Sequence, residues 1–127
     1  MSPSGYLLDS HVLLWLDGEP ERLARTPLSV LVSRTTVHVS VATAWELAIK
    51  FALNKLELRI PVSKMTAAYG FSELLISFQH VEFAAALPFH HKDPFDRLLV
   101  AQALAENLVL VTNDKKLAEY GVPILLV

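Results

Sequence analysis

Four runs, GYLLD (5–9), VHVSV (37–41), NLVLVT (107–112) and PILLV (123–127), are short and almost wholly apolar. A strand with one wet face alternates apolar and polar residues with a period of two. Apart from VHVSV, these runs do not alternate. They need cover on both faces, which a parallel sheet between layers of helices supplies. The intervening segments read as helices. SHVLLWLDG (10–18) is stopped by Gly18, and TPLSVLVSRT (26–35) opens with a Thr cap and a Pro at the first helical position. ATAWELAIKFALNK (42–55), PVSKMTAAYG (61–70) and QHVEFAAALP (79–88) follow, with LLIS (74–77) as a further strand. A helix begins near Pro94, and DKKLAEYG (114–121) forms a short one before the last strand. Strands alternating with helices predict an α/β sandwich with a short, mainly parallel sheet. Sites in such sheets form beyond the carboxyl ends of the strands.

The 127 residues suit one domain with one core. Their 53% hydrophobic content and mean hydropathy of +0.40 fit elements buried on more than one side. A charged fraction of 19% excludes a disordered chain. No uncharged apolar run reaches the roughly 18 residues of a membrane span, and the N-terminus lacks the pattern of a signal peptide. The absence of cysteine excludes disulfides and thiolate metal sites. The expectation is a cytoplasmic protein that does not enter a membrane.

Four carboxylates fall at the carboxyl edge of the sheet. Asp9 ends the first strand, and Asp114 lies two residues beyond LVLVT. Asp96 sits in the first turn of the helix that begins near Pro94, and Glu46 in the early turns of the helix after VHVSV. Each also has an ordinary structural role. Asp9 or Ser10 can cap the next helix, and Asp114 can cap KKLAEY. Glu46 stands four residues before Lys50, the favourable order for a surface pair, although Trp45, Leu47 and Ala48 beside it are apolar. Capping explains Asp93 fully, because Asp-Pro puts a capping side chain just before the first helical residue. Capping does not explain Asp96. Helical spacing sets it on the side of Leu99, Val100 and Ala103, where an unpaired carboxylate costs several kcal/mol or takes up a proton.

Carboxylates gathered at one end of a sheet repel and raise one another's pKa unless a cation neutralises them. An oxygen donor set without cysteine favours Mg²⁺ or Mn²⁺ over Zn²⁺. A hard cation so held activates water and stabilises charge on phosphate, the common route to phosphodiester cleavage. It also supplies the positive field that a net charge of −2 lacks for a polyanionic substrate.

The blocks LLDSHVLLW, SVATAWELAIK, HHKDPFDRLLVAQA and LVTNDKKL resemble, in order and spacing, the four blocks of the PIN domain. They are similar above all to those of the VapC-type toxin nucleases of bacterial toxin–antitoxin pairs. DPFDRLLVAQA is the most specific block, and the resemblance covers nearly the whole chain. It implies a single PIN domain over residues 1–127, folded as a PIN-like three-layer α/β/α sandwich. It implies an Mg²⁺- or Mn²⁺-dependent endoribonuclease with Asp9, Asp96 and Asp114 as metal ligands. Glu46 would complete the catalytic set or orient the attacking water. The implied partners are an RNA substrate, a VapB-type antitoxin and a second copy of the chain. A catalytically inactive PIN-like module that binds RNA or protein is the alternative, and the intact acidic set counts against it. A receiver-like phosphoacceptor domain would need adjacent acids after the first strand, where Asp9 stands alone.

Other residues near these blocks have two readings each. Asp93, Ser10 and Thr112 are candidates for accessory roles in the site, with cap and turn chemistry as the alternative. Lys92, Arg97, Lys115 and Lys116 are candidates for RNA-phosphate contacts, with ordinary solvated charge as the alternative. His90 and His91 are adjacent and cannot easily face one ion, and no nearby Cys or His completes a zinc spacing. They read as packing at the helix start or as rim contacts to substrate rather than as ligands. Trp15 and Trp45 read as core or dimer contacts more readily than as platforms for bases.

Overall fold

The computed structural model describes residues 3–23 and 36–127. The helix expected over 26–35 lies outside the described residues. Five strands form one sheet: β1 (Gly5–Leu8), β2 (Val37–Ser40), β3 (Ser72–Leu74), β4 (Leu108–Thr112) and β5 (Ile124–Leu126). Their order is β3-β2-β1-β4-β5, and every neighbouring pair is parallel. The connections carry α1 (Ser10–Gly18), α2 (Val41–Ala52), α3 (Val62–Ala68), α4 (Phe78–Ala86) and α5 (Pro94–Glu106). Pro20–Leu23 and Lys115–Tyr120 are short 3₁₀ segments, so the expected last helix is wound more tightly than an α-helix.

The apolar runs are explained by two cores, one on each face. Leu8 and Val111 point to one side, where Val12, Leu13, Leu47 and Met65 pack around them. Leu7, Leu108 and Leu110 point to the other, against Leu99, Val100 and Ala103 of α5. Neither side of β1 or β4 is wet, so neither strand alternates. Each such leucine contributes about 2 kcal/mol by leaving water. Gly5 begins β1 where the chain runs close to Thr36. A Cβ there would collide with the Thr36 carbonyl oxygen, which accepts from Tyr6 N at 2.9 Å.

One expectation is corrected and another narrowed. The strand expected at 74–77 is Ser72–Leu74, because His38, Val39 and Ser40 pair with Ser72, Glu73 and Leu74. The apolar residues Leu75 and Ile76 leave the sheet and stand exposed, and Ser77 caps α4. Of the two places expected for Trp45, core or dimer contact, the core is ruled out, since 62% of it is exposed on α2. Trp15 is packed against the first core, with the Arg22 guanidinium 5.3 Å from its ring centre. No helix among the described residues is long and apolar enough to cross a membrane.

Candidate metal centre at the carboxyl edge of the sheet

β1 and β4 run in register, with Leu8 beside Val111, so the residues that follow them emerge together. Asp9 caps α1, its Oδ1 accepting from Val12 N at 3.1 Å. Its Oδ2 accepts from the Thr112 hydroxyl at 2.5 Å. The same hydroxyl accepts from Asp114 N at 3.0 Å. Thr112 is fully buried and ties the two acidic turns together with one donor and one lone pair. Asp114 Oδ1 then accepts from Lys116 N at 3.0 Å and caps the 3₁₀ segment. Ser10 is buried at the first position of α1.

Two helices deliver the other carboxylates. Glu46 lies on the buried side of α2, 4% exposed. Its Oε2 accepts from Lys50 Nζ at 2.9 Å, so the two do pair, but half inside the protein rather than on a solvated face. Its Oε1 is buried without a hydrogen-bond partner among the described residues. On α5, Asp93 Oδ1 accepts from Phe95 N at 2.8 Å and Asp96 N at 3.2 Å, with Pro94 in the first helical position. Asp93 does the capping, which leaves the Asp96 side chain for the site. Asp9, Glu46, Asp96 and Asp114 line one cleft of about 320 Å³, with Asp93, Lys50, His11 and Asn113 around them.

The charges in this cleft act on one another. Burial and the neighbouring Asp93 carboxylate, with smaller contributions from Asp9 and Glu46, push the Asp96 carboxyl up to about 7, against a lowering effect of His91. Burial also raises Asp9, although the Thr112 hydroxyl and the Val12 amide work the other way. The Lys50 ammonium is held charged to higher pH, first by its bond to Glu46 and further by the Asp93 and Asp96 carboxylates. One lysine does not balance this set.

His91 enters the cleft cluster against expectation. Its Nε2 is 3.1 Å from Asp114 Oδ2 and its Nδ1 is 3.7 Å from Asp96 Oδ2. The loop that carries it is pinned from both sides. Tyr120 Oη accepts from His91 N at 2.8 Å. Arg97 donates to the carbonyls of Ala84, Leu87 and Pro88 at 2.8, 3.0 and 2.8 Å, and to Tyr120 Oη at 3.3 Å. Arg97 is therefore corrected as an RNA-phosphate contact: it is 7% exposed and its guanidinium is spent on backbone carbonyls. Lys92, Lys115 and Lys116 are exposed.

The family profile described as "PIN domain" matches residues 6–123. This chain belongs to the PIN domain family. As a PIN domain it is 32% identical over 120 residues to Ribonuclease VapC22 of Mycobacterium tuberculosis, covering 92% of each protein. Two solved structures have the same fold. One is that of VapBC2 from Rickettsia felis bound to a DNA fragment from their promoter, with a TM-score of 0.70 at 18% identity over 94% of this chain and 96% of that one. The other is that of FitAcB from Neisseria gonorrhoeae, with a TM-score of 0.69 at 18% identity over 94% and 95% of the two chains. The PIN-like three-layer sandwich expected from the sequence is the fold observed.

The side chains of this PIN domain suit a divalent cation. A buried carboxylate oxygen without a partner costs about 1–3 kcal/mol or more, and Glu46 Oε1 is one. Asp9, Glu46 and Asp93 all press on Asp96 with like or unbalanced charge. One donor atom each from His91, Asp96 and Asp114 lies within 4.8 Å of the others. A bound cation would relieve the repulsion, and a water held by it would give Glu46 Oε1 a partner.

Proposed function

We propose that this protein is a metal-dependent endoribonuclease acting as the toxin of a VapBC-type toxin–antitoxin pair. The observation that carries the reading is the gathering of Asp9, Glu46, Asp96 and Asp114 around one cleft at the carboxyl edge of the sheet. The likeness to Ribonuclease VapC22 supports the activity, and the VapBC structure among its fold neighbours supports the partner. The chain works as one PIN domain in the cytoplasm. Its cofactor is Mg²⁺ or Mn²⁺.

Asp9, Asp96 and Asp114 are the metal ligands, with Asp93 holding the helix start that aims Asp96. Thr112 holds Asp9 and the Asp114 turn at a fixed spacing. Ser10 supports the start of α1 beside Asp9. The bound ion supplies Lewis acidity for water and for the growing charge on phosphate. Glu46 orients the attacking water through Oε1, its other oxygen being held by Lys50. The water oxygen bonds phosphorus as the bond to the sugar oxygen breaks, and that leaving oxygen ends as a hydroxyl carrying one of the water's protons. Lys92 and Lys115, exposed beside the cleft, contact RNA phosphates.

Exposed apolar side chains elsewhere support protein partners, a VapB-type antitoxin and a second copy of the chain. Phe78 is 87% exposed and Leu75 65%, and both lie away from the cleft lining. The activity is tested with a panel of structured RNAs, tRNAs included, incubated with Mg²⁺ or Mn²⁺ and with EDTA. Cleavage that needs the ion and vanishes in Asp96→Asn supports the reading. A folded, antitoxin-free protein that binds these RNAs and cuts none of them would instead be an inactive binding module.

A further inference from the structure

We propose that His91 is a nitrogen ligand of the ion at this centre, and that this donor makes the centre select Mn²⁺ over Mg²⁺. The inference rests on reading the carboxylate cluster as a metal site. Three observations carry it.

The first is distance. Donors bound to one ion at about 2.1 Å stand roughly 3 Å apart when adjacent and about 4.2 Å when opposite. His91 lies 3.1 Å from Asp114 Oδ2 through Nε2 and 3.7 Å from Asp96 Oδ2 through Nδ1. A nitrogen of this ring and one oxygen of each carboxylate fall within 4.8 Å of one another.

The second is unmet polarity. His91 Nδ1 and Glu46 Oε1 are both buried without a hydrogen-bond partner among the described residues. Glu46 is 4% exposed and lines the cleft that Asp96 and Asp114 share. Orphaned donors and acceptors are rare in folded proteins, and two bordering one acidic cluster point to a ligand that claims them.

The third is the support behind the ring. Metal-binding histidines are oriented by neighbours that restrict them. Tyr120 Oη takes the His91 amide proton at 2.8 Å, and the buried Arg97 pins the carbonyls of Leu87 and Pro88 just before it. A rim histidine meeting substrate only in passing has no need of a buried arginine and a tyrosine 29 residues downstream.

The selectivity follows from ligand chemistry. Mg²⁺ demands oxygen ligands and retains its water, whereas Mn²⁺, although it also favours carboxylates, is a first-row transition ion that accepts an imidazole nitrogen more readily than Mg²⁺ does. One nitrogen among carboxylates therefore gains more with Mn²⁺ than with Mg²⁺.

The test is pulsed electron paramagnetic resonance on the Mn²⁺-loaded protein labelled with nitrogen-15 histidine, together with calorimetric titration of both ions. The expected result is a nitrogen-15 coupling to Mn²⁺ in the parent that disappears in His91→Ala. That variant should bind Mn²⁺ at least about tenfold more weakly and Mg²⁺ within about threefold of the parent. Tyr120→Phe keeps the ring and should weaken Mn²⁺ severalfold while retaining the coupling. Mn²⁺ bound without histidine coupling in the parent overturns the assignment of His91 and leaves a carboxylate centre standing. A parent that binds neither ion overturns the metal centre and this inference together. Coupling that survives Asp96→Asn at undiminished affinity means that the histidine signal comes from another site, and it overturns the inference too.

Discussion

Two groups of buried polar side chains involve both α2 or its cap and α5, and they are completed in opposite ways. In the first, Ser40 Oγ donates to Gln102 Oε1 at 2.6 Å, and Gln102 Nε2 reaches the Leu75 carbonyl at 3.4 Å. Ser77 N donates to His80 Nδ1 at 3.0 Å, and His80 Nε2 sits 3.7 Å from Glu106. Ser40, His80 and Gln102 are almost wholly buried, yet their atoms find partners. That group ties β2, α5 and the start of α4 together. The second is the acidic edge, where four carboxylates share a cleft and Glu46 Oε1 and His91 Nδ1 have no partner among the described residues. The first group satisfies its buried polar atoms while holding elements together. Glu46 Oε1 and His91 Nδ1 are two of four such atoms among the described residues, the others being His38 Nδ1 and Thr43 Oγ1, and these two border one acidic cluster; departures of this kind collect at functional sites.

Substitutions in the two groups should have opposite signatures. Asp96→Asn should lower ion-dependent RNA cleavage roughly a hundred- to a thousandfold. In EDTA it should raise the melting temperature, because a repelled carboxylate is gone. Gln102→Ala should do the reverse. It opens a cavity and strands the Ser40 hydroxyl, at a cost of about 3 kcal/mol in denaturant unfolding. Cleavage at low temperature should stay near the parent's rate. If Asp96→Asn destabilised the metal-free protein as Gln102→Ala does, the two groups would be of one kind.

The edge should also mark the pH dependence of stability. Asp96 titrates near 7 in the folded protein and near its ordinary 3.8 when unfolded. Between those values the folded state holds more protons, so metal-free stability falls as pH rises and levels above about 7. The loss is at most about 4 kcal/mol. Asp9, also raised, acts in the same direction. His38 acts the other way, since burial lowers its pKa and its contribution grows as pH approaches 6.5. Denaturant midpoints in EDTA from about pH 4 to about pH 8 should fall with pH in the parent and fall much less in Asp96→Asn. A parent curve that rises across this range would mean that Asp96 is not strained at the edge.

The parts that local sequence dictates were the legible ones. Asp-Pro at 93–94 announces a cap, and the capping residue Asp93 accepts the Asp96 amide as expected. Asp9 directly follows β1 and Asp114 comes two residues after β4, so strand placement alone sends both to the same edge. β3 was displaced because Leu75 and Ile76 are as apolar as a strand, while pairing to β2 decides the matter and uses Ser72 and Glu73. For Trp45 the sequence left core and dimer contact open because the residues around it are apolar, whereas its own side of α2 faces out. Arg97 and His91 depend on partners far along the chain. The carbonyls at 84–88 and the Tyr120 hydroxyl meet Arg97 only after α4, α5 and the last 3₁₀ segment have packed. No local spacing marks a charge that will be buried in this way.

Arg97 supplies the next test, smaller than the Asp96 effect on cleavage. Arg97→Lys keeps the charge and loses the fork that serves several carbonyls at once. It should destabilise the fold by about 2–3 kcal/mol and leave the salt dependence of RNA binding unchanged. A reduced salt slope would return Arg97 to the RNA-contacting surface.

Thr112→Val should give the smallest change and the sharpest comparison, because Thr112 has the form of the first group and the position of the second. It is fully buried and fully bonded, yet both its partners belong to acidic residues of the edge. Valine keeps the volume and removes both bonds. Loss of stability should be about 1–2 kcal/mol. The Asp9 carboxyl should rise further, since the Thr112 hydroxyl is the strongest of the influences holding it down. A higher Asp9 pKa means more competition from protons, so ion affinity should weaken severalfold at low pH and recover as pH increases. That recovery is what a purely structural threonine cannot produce. A stability loss with ion affinity unchanged at every pH would move Thr112 into the satisfied group, and the edge would begin at the carboxylates themselves.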